Sequence, residues 1–202
     1  MTLNKQDELL LKIYSIDYLL KCRIDEVSEK VLKLSPLSQK VDMFQMNDPV
    51  VLIFYEGKQL QMIPADVAAI DKSAGQATFI RPELEADEER RIFERYPVSL
   101  GVSVRRKFSS KRLNFVAKNI SMYGMGVISQ TELDKLECID IDILTDKSMF
   151  YFSGIVIWKK ALESGFEYGF QLTHMDVATK QAFENYLANQ EVEYLNMFSK
   201  AR

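Results

Sequence analysis

The chain has 202 residues, a net charge of −3 and 47% hydrophobic residues. This length allows one large or two small domains with hydrophobic cores, and the weak negative charge excludes a global attraction to nucleic acid or anionic membranes. Lys5, Asp7, Glu8 and Lys12 interrupt the apolar N-terminus, which therefore does not fit a signal peptide. We expect a cytoplasmic protein without membrane insertion.

The first 82 residues predict a β-rich N-terminal domain. Leu9, Leu10 and Ile13 favour a short helix over residues 4–14. The segments that follow resemble strands separated by polar turns, and they are residues 20–27, 30–35, 51–71 and 76–80. Their order is similar to that of the second half of the chain, so residues 1–82 are interpreted as a degenerate copy of the later domain.

Residues 83–97 predict a linker between two domains. Five of the seven residues in 83–89 are acidic and none is β-branched. Three arginines follow within the same segment, Arg90, Arg91 and Arg95.

Residues 98–202 predict a second domain, a small antiparallel barrel with a C-terminal helix. Valine or leucine alternates with glycine, serine or arginine over residues 98–105, as in a half-buried strand. Further short strands follow at regular spacing, up to residue 173. Asp176 is a suitable N-cap for a helix that places Phe183 and Leu187 on one face. The predicted fold class is therefore mainly β, with two small antiparallel β-barrels in tandem.

Two short motifs carry the functional information. The first is Arg91-Ile-Phe-Glu-Arg95, and the second is Asn119-Ile-Ser121-Met-Tyr-Gly124, which begins 24 residues after Arg95. Guanidinium groups suit phosphate oxygens and the O6/N7 edge of guanine, and they also stack on bases. Asn119 and Ser121 carry donors and acceptors. Gly124 is expected to permit a tight turn with positive φ and a close approach of the backbone to a ligand.

Together, in this order, the RxxxR and NxSxxG motifs resemble the signature of the PilZ family, bacterial receptors for cyclic di-GMP. The resemblance covers residues 88–190 and includes the segments 152–158 and 168–172. It implies a cyclic di-GMP site formed by Arg90, Arg91, Arg95, Asn119, Ser121 and Gly124. An arginine at position 90 is associated in the family with two bound ligands per chain.

The tandem arrangement resembles the two-domain flagellar-brake type. Ligand binding by the linker arginines is then expected to change the interdomain arrangement and to control motility, attachment or exopolysaccharide output through a protein effector. The prediction includes no enzyme activity, metal, cofactor or nucleic-acid partner. Two alternatives stay open: a nucleotide-independent interaction module, and an RNA- or DNA-binding barrel that uses the basic stretch 105–112.

Several residues receive structural interpretations. In the structural alternative, Arg91 and Arg95 form solvated ion pairs with the acidic run before them, and the NxSxxG is a plain β-turn. Trp158 is expected in the barrel core, and the alternative is that it stacks on a ligand base. Two cysteines, Cys22 and Cys138, are expected to be reduced core residues. His174 is interpreted as structural, and Asp140 and Asp142 are expected to face water.

Overall fold

The computed structural model describes residues 3–15, 19–38, 41–57, 59–81, 95–145, 148–189 and 192. The chain divides into two compact units. Each unit contains one closed antiparallel barrel of six strands, and a single α-helix follows the second barrel. The predicted fold class is confirmed.

The first barrel contains strands β1 to β6 and a 3₁₀ turn, Val41–Met43. The strands are β1 (Glu8–Ile13), β2 (Leu20–Val27), β3 (Val31–Pro36), β4 (Pro49–Glu56), β5 (Gln59–Asp71) and β6 (Gln76–Ile80). Their order around the barrel is β1-β2-β3-β6-β5-β4. The strand segments predicted at residues 20–27, 30–35, 51–71 and 76–80 are therefore confirmed.

The predicted helix over residues 4–14 is wrong, because this segment forms β1 and closes the first barrel. Leu9, Leu11 and Ile13 belong to the barrel core. Leu10 lies in a separate buried cluster that includes Val51. Because both faces of the strand are buried, Leu9, Leu10 and Leu11 follow one another directly, and Leu9, Leu10 and Ile13 also fit a helical spacing.

The second barrel repeats the topology of the first. Its strands are β7 (Tyr96–Arg106), β8 (Arg112–Ser121), β9 (Gly124–Ser129), β10 (Cys138–Leu144), β11 (Met149–Leu162) and β12 (Gly165–His174). Their order is β7-β8-β9-β12-β11-β10, read around the closed barrel. Each strand of the first barrel therefore has a counterpart six strands later.

The C-terminal helix α1 (Val177–Ala188) packs against the core of the second barrel. The Asp176 side chain accepts a hydrogen bond from the Thr179 amide at 2.9 Å, which confirms the predicted N-cap. Phe183 and Leu187 are buried in the barrel core. The Phe183 ring packs edge-on against Phe152 with centroids 4.9 Å apart.

Tyr168 fixes the loop that connects β9 to β10. Its hydroxyl accepts a hydrogen bond from the Leu133 amide at 3.0 Å and donates to the Thr131 carbonyl at 2.9 Å. The ring is fully buried, and burial raises the pKa of the Tyr168 phenol. The loop is thereby anchored to the core on its inner side.

The second barrel begins at Tyr96, within the predicted linker. Residues 83–94 of that linker lie outside the described residues, so the boundaries 1–82, 83–97 and 98–202 stay predictions. Within the described part of the chain, no helix has the length and apolar character needed to cross a bilayer.

Candidate ligand-binding site

The NxSxxG motif forms the hairpin between β8 and β9. Asn119 and Ser121 lie at the end of β8, and Gly124 begins β9 after a two-residue turn. The Ser121 hydroxyl donates to the Gly124 carbonyl at 3.2 Å. The Leu172 amide of β12 donates to the Tyr123 carbonyl at 2.9 Å. These bonds hold the turn against the barrel wall.

Gly124 is needed for close packing rather than for positive φ. Its φ is not in the left-handed region, contrary to expectation. A Cβ atom at this position would lie 3.0 Å from the Phe170 carbonyl oxygen of β12. The glycine therefore lets the hairpin approach the neighbouring backbone.

A row of four residues crosses the outer face of the barrel beside this hairpin. Asn119 on β8 pairs with Gly126 on β9, Gly126 pairs with Gly169 on β12, and Gly169 pairs with Trp158 on β11. We call this row the shelf. Its two middle positions have no side chains, which leaves room for the amide and the indole of the two outer residues.

The two outer side chains of the shelf lean over the glycines. The Asn119 Oδ1 accepts a hydrogen bond from the Gly126 amide at 3.1 Å, and a Cβ at Gly126 would lie 2.9 Å from the Asn119 Nδ2. A Cβ at Gly169 would lie 2.5 Å from Cε2 of Trp158 and closer still to Nε1. Both glycines are required because side chains occupy the space above them.

Trp158 is not a core residue, and its predicted burial in the barrel is wrong. It is 36% exposed and lies on the outer wall. A β-bulge between Val156 and Trp158 interrupts the alternation of β11. The extra residue turns Trp158 outward although Val156 faces the core. A second bulge, between Ala117 and Asn119, has the same effect on Asn119.

The described part of the RxxxR motif lies next to this hairpin. Arg95 is exposed and immediately precedes Tyr96, which pairs with Ile120. The register therefore places the Arg95 backbone at the level of Ser121. Arg90 and Arg91 lie outside the described residues. Of the six predicted site residues, the structure brings together Arg95, Asn119, Ser121 and Gly124.

An ion pair borders the shelf on one side. The Lys118 Nζ lies 3.3 Å from the Glu167 Oε1, and the two side chains are only 17% and 20% exposed. Lys118 precedes Asn119, and Glu167 lies two residues before Gly169 on β12. Two opposite charges are thus held largely away from water at the edge of the shelf.

The basic stretch 105–112 is the hairpin between β7 and β8, and acidic side chains neutralise much of it. The Arg106 Nε lies 2.7 Å from Glu137. The Lys107 Nζ lies 2.5 Å from Asp140, and this hydrogen bond is the main reason why the pKa of Asp140 is lowered. The hairpin therefore presents much less positive charge than its sequence indicates.

Asp142 and Cys138 differ from their predicted environments. Asp142 was expected to face water, but its side chain is buried between Arg105 and Arg112, each with a guanidinium nitrogen 3.6 Å away. Cys138 was expected in the core but is exposed, whereas Cys22 is buried as predicted. His174 is exposed at the end of β12. The described residues contain no group of three histidine, cysteine or acidic side chains that would bind a metal ion.

The model of the PilZ domain family matches residues 89–189, half of the chain. The chain belongs to the PilZ domain family. The match covers the second barrel with its helix, so the shelf and the NxSxxG hairpin lie on the PilZ domain. No sequence among the curated proteins matches the chain.

Among solved structures, the chain is similar to three proteins over most of its length. The inhibitor of motility MotI/DgrA of Bacillus subtilis is 12% identical, with a TM-score of 0.45 and coverage of 95% of this chain and 99% of that chain. YcgR of Escherichia coli in complex with c-di-GMP is 14% identical, with a TM-score of 0.47 and coverage of 96% and 88%. The MrkH–c-di-GMP complex of K. pneumonia is 12% identical, with a TM-score of 0.45 and coverage of 95% and 90%.

The first barrel contains a degenerate counterpart of the NxSxxG hairpin. The matching segment is Glu26-Val-Ser28-Glu-Lys-Val31, and the Ser28 hydroxyl donates to the Val31 carbonyl at 3.2 Å, as Ser121 does to Gly124. Both barrels also have two bulges at matching places. In the first barrel they lie between Ile24 and Glu26 and between Val67 and Ala69. The sequence signal was an ExSxxV pattern.

The counterpart of the shelf in the first barrel is built from different residue types. The matching row is Glu26, Lys33, Thr78 and Ala69. The Lys33 Nζ lies 2.8 Å from the Glu26 Oε2. Side chains thus occupy the positions of both glycines, and alanine replaces the tryptophan. The row of the first barrel therefore has no indole and no glycine to accommodate one.

Proposed function

We propose that this protein is a receptor for cyclic di-GMP and that the ligand binds on the shelf of the PilZ domain. The observation that carries the proposal is the shelf itself: two adjacent glycines, bounded by Asn119 and Trp158 and adjoining Arg95. A cyclic dinucleotide offers flat bases, base edges and phosphates. The shelf offers a matching indole face and an amide, and the adjoining Arg95 offers a guanidinium.

Each side chain has a distinct role in this proposal. Because the Asn119 Oδ1 already accepts the Gly126 amide, its Nδ2 is directed to acceptors such as O6 and N7 of guanine. Trp158 stacks on a base, an interaction worth about 1–3 kcal/mol. Arg95 and Arg91 bind phosphate oxygens or a guanine edge. Ser121 and Gly124 hold the hairpin in the binding conformation.

The proposed response is a change in the junction between the two domains. Arg90, Arg91 and Arg95 belong to the predicted linker, whereas Asn119 and Ser121 belong to the barrel. A ligand that contacts both sets orders the junction and selects one interdomain arrangement. The proposed output is control of motility, attachment or exopolysaccharide through a protein effector. We assign no enzyme activity, no nucleic-acid partner and a cytoplasmic location.

One observation favours the alternative of a nucleotide-independent interaction module. Phe108 and Leu136 are exposed at one end of the barrel, 109% and 68%, and both have positive φ. Exposed apolar side chains in strained conformations are typical of contact sites for other proteins. The same surface serves equally as the place where an effector binds.

Calorimetric titration of the full chain with cyclic di-GMP tests the proposal. We expect micromolar or tighter binding to the wild type and a loss of about 1–3 kcal/mol in Arg95→Ala and in Asn119→Ala. Lys111→Ala, an exposed cation of the basic hairpin, is the matched control and should bind normally. An absence of binding heat in the folded wild type would reject the receptor function and favour the interaction module.

A further inference from the structure

The ion pair between Lys118 and Glu167 has no role in the binding scheme above, yet it borders the shelf. Glu167 lies two residues before Gly169 on β12, so both are on the same outer face. Their separation along the strand is about 7 Å, which is within the span of a purine stacked on the Trp158 indole that covers Gly169. The Glu167 carboxylate therefore lies at the edge of the surface to which a base would bind.

The carboxylate of Glu167 has unused capacity to accept hydrogen bonds. A carboxylate offers about four acceptor positions. Among the described residues, the contact shown for Glu167 is Lys118, at 3.3 Å, which is longer than the 2.7–2.9 Å of strong charge-assisted bonds. Burying such a pair is costly unless further hydrogen bonds are formed. A ligand with paired donors would form them.

The first barrel shows what the same place contains when no ligand is expected. There the Gln76 Nε2 donates to the Asp25 Oδ2 at 3.1 Å, and Ser35 also donates to that carboxylate. The matching contact in the PilZ domain is Lys118 with Glu167, and Ile128 takes the place of Ser35. In the PilZ domain the acidic residue therefore lies on β12, the strand of Gly169. The apolar Ile128 stands where Ser35 donates its hydroxyl in the first barrel.

We propose that Glu167 recognises the Watson–Crick edge of a guanine base bound on the shelf, and that Lys118 is its positioning residue. This inference rests on the proposed function. Guanine presents N1–H and the exocyclic amine side by side, which match the two oxygens of one carboxylate. Adenine presents an acceptor at N1, which the carboxylate repels. Lys118 orients the carboxylate and offsets its charge next to an anionic ligand.

The test compares cyclic di-GMP with its inosine analogue, cyclic di-IMP, which keeps N1–H and O6 but lacks the exocyclic amine. Calorimetry on the full chain should show that the wild type binds cyclic di-GMP at least tenfold more tightly than cyclic di-IMP. Glu167→Gln should weaken cyclic di-GMP binding about tenfold or more, so that its affinities for cyclic di-GMP and cyclic di-IMP differ by less than about threefold. Lys118→Met should lower this ratio of affinities by a smaller factor, since Lys118 only positions the carboxylate.

Glu163→Gln is the matched control, because Glu163 is an exposed carboxylate at the turn between β11 and β12. It should leave both affinities unchanged. If Glu167→Gln weakens both ligands equally, or leaves the ratio as in the wild type, the recognition role is overturned while cyclic di-GMP binding stands. If the folded wild type binds neither ligand, the proposed function fails and this inference fails with it.

Discussion

Replacement of Gly169 by alanine should lift the Trp158 indole off the barrel wall. The added Cβ would lie 2.5 Å from Cε2 and 2.6 Å from Cδ1 of the indole, so the ring must move. Trp158 is 36% exposed and thus about two thirds covered. Lifting it exposes on the order of 100 Å² of apolar surface, worth about 2.5 kcal/mol at about 25 cal/mol per Å². Replacing glycine by alanine also restricts the unfolded chain, which raises the free energy of unfolding by about 0.4–1 kcal/mol.

We therefore expect Gly169→Ala to lower the free energy of unfolding by about 1.5–2 kcal/mol. Trp158 is the only tryptophan, so its fluorescence reports the site directly. Urea unfolding should show the loss of stability, and the native emission maximum should shift to longer wavelength. Cyclic di-GMP affinity should fall as well, because the stacking surface is displaced.

Gly101→Ala is the matched control for this experiment. Gly101 also lies in a barrel strand, but a Cβ there meets nothing within 4 Å. Its stability and emission should match the wild type, or its stability should rise slightly. If Gly169→Ala leaves both the emission maximum and the unfolding midpoint unchanged, Trp158 does not lie over Gly169 and the shelf is not built as described.

Three further predictions concern other parts of the chain. Ser121→Ala and Ser28→Ala remove equivalent hydrogen bonds, so each should lower the free energy of unfolding by about 0.5–1.5 kcal/mol. Only Ser121→Ala should weaken cyclic di-GMP binding in calorimetry. Equal effects of the two substitutions on binding would contradict the assignment of the site. Burial raises the pKa of Asp48 to about 6, so the folded state favours the protonated form. The contribution of Asp48 to the free energy of unfolding should therefore fall by up to about 3 kcal/mol as the pH rises from about 4 to 6. Urea unfolding should show this decline in the wild type and not in Asp48→Asn. Arg90→Leu should reduce the number of ligands per chain from two to one in calorimetry; one ligand per chain in the wild type would reject this role.

Most strands could be predicted because one face is buried and alternation survives in the sequence. Val98, Val102 and Val104 are buried, as their pattern indicates. The orientation of Trp158 could not be predicted, since Val156 faces the core and strict period two would place Trp158 inside as well. One extra residue in β11 reverses that orientation, and a bulge leaves no signal in composition or periodicity.

The site could be predicted in its motif but not in its surroundings. Asn119, Ser121 and Gly124 are contiguous and carry a recognisable spacing. The contribution of Gly126, Gly169 and Trp158 depends on pairing between four strands that are distant in sequence. The reason for Gly124 was also misjudged, because the proximity of the Phe170 carbonyl is a tertiary property.

The closure of both barrels restricts how a partner protein can be recognised. Every described strand has a hydrogen-bonded neighbour on each side, so neither barrel offers a free edge to which an incoming chain could add a strand. Recognition of an effector by these barrels must therefore use side chains on outer walls or loops at the barrel ends. Substitutions that disrupt signalling without unfolding the chain should accordingly fall on those surfaces, and backbone pairing should contribute little to the specificity of the complex.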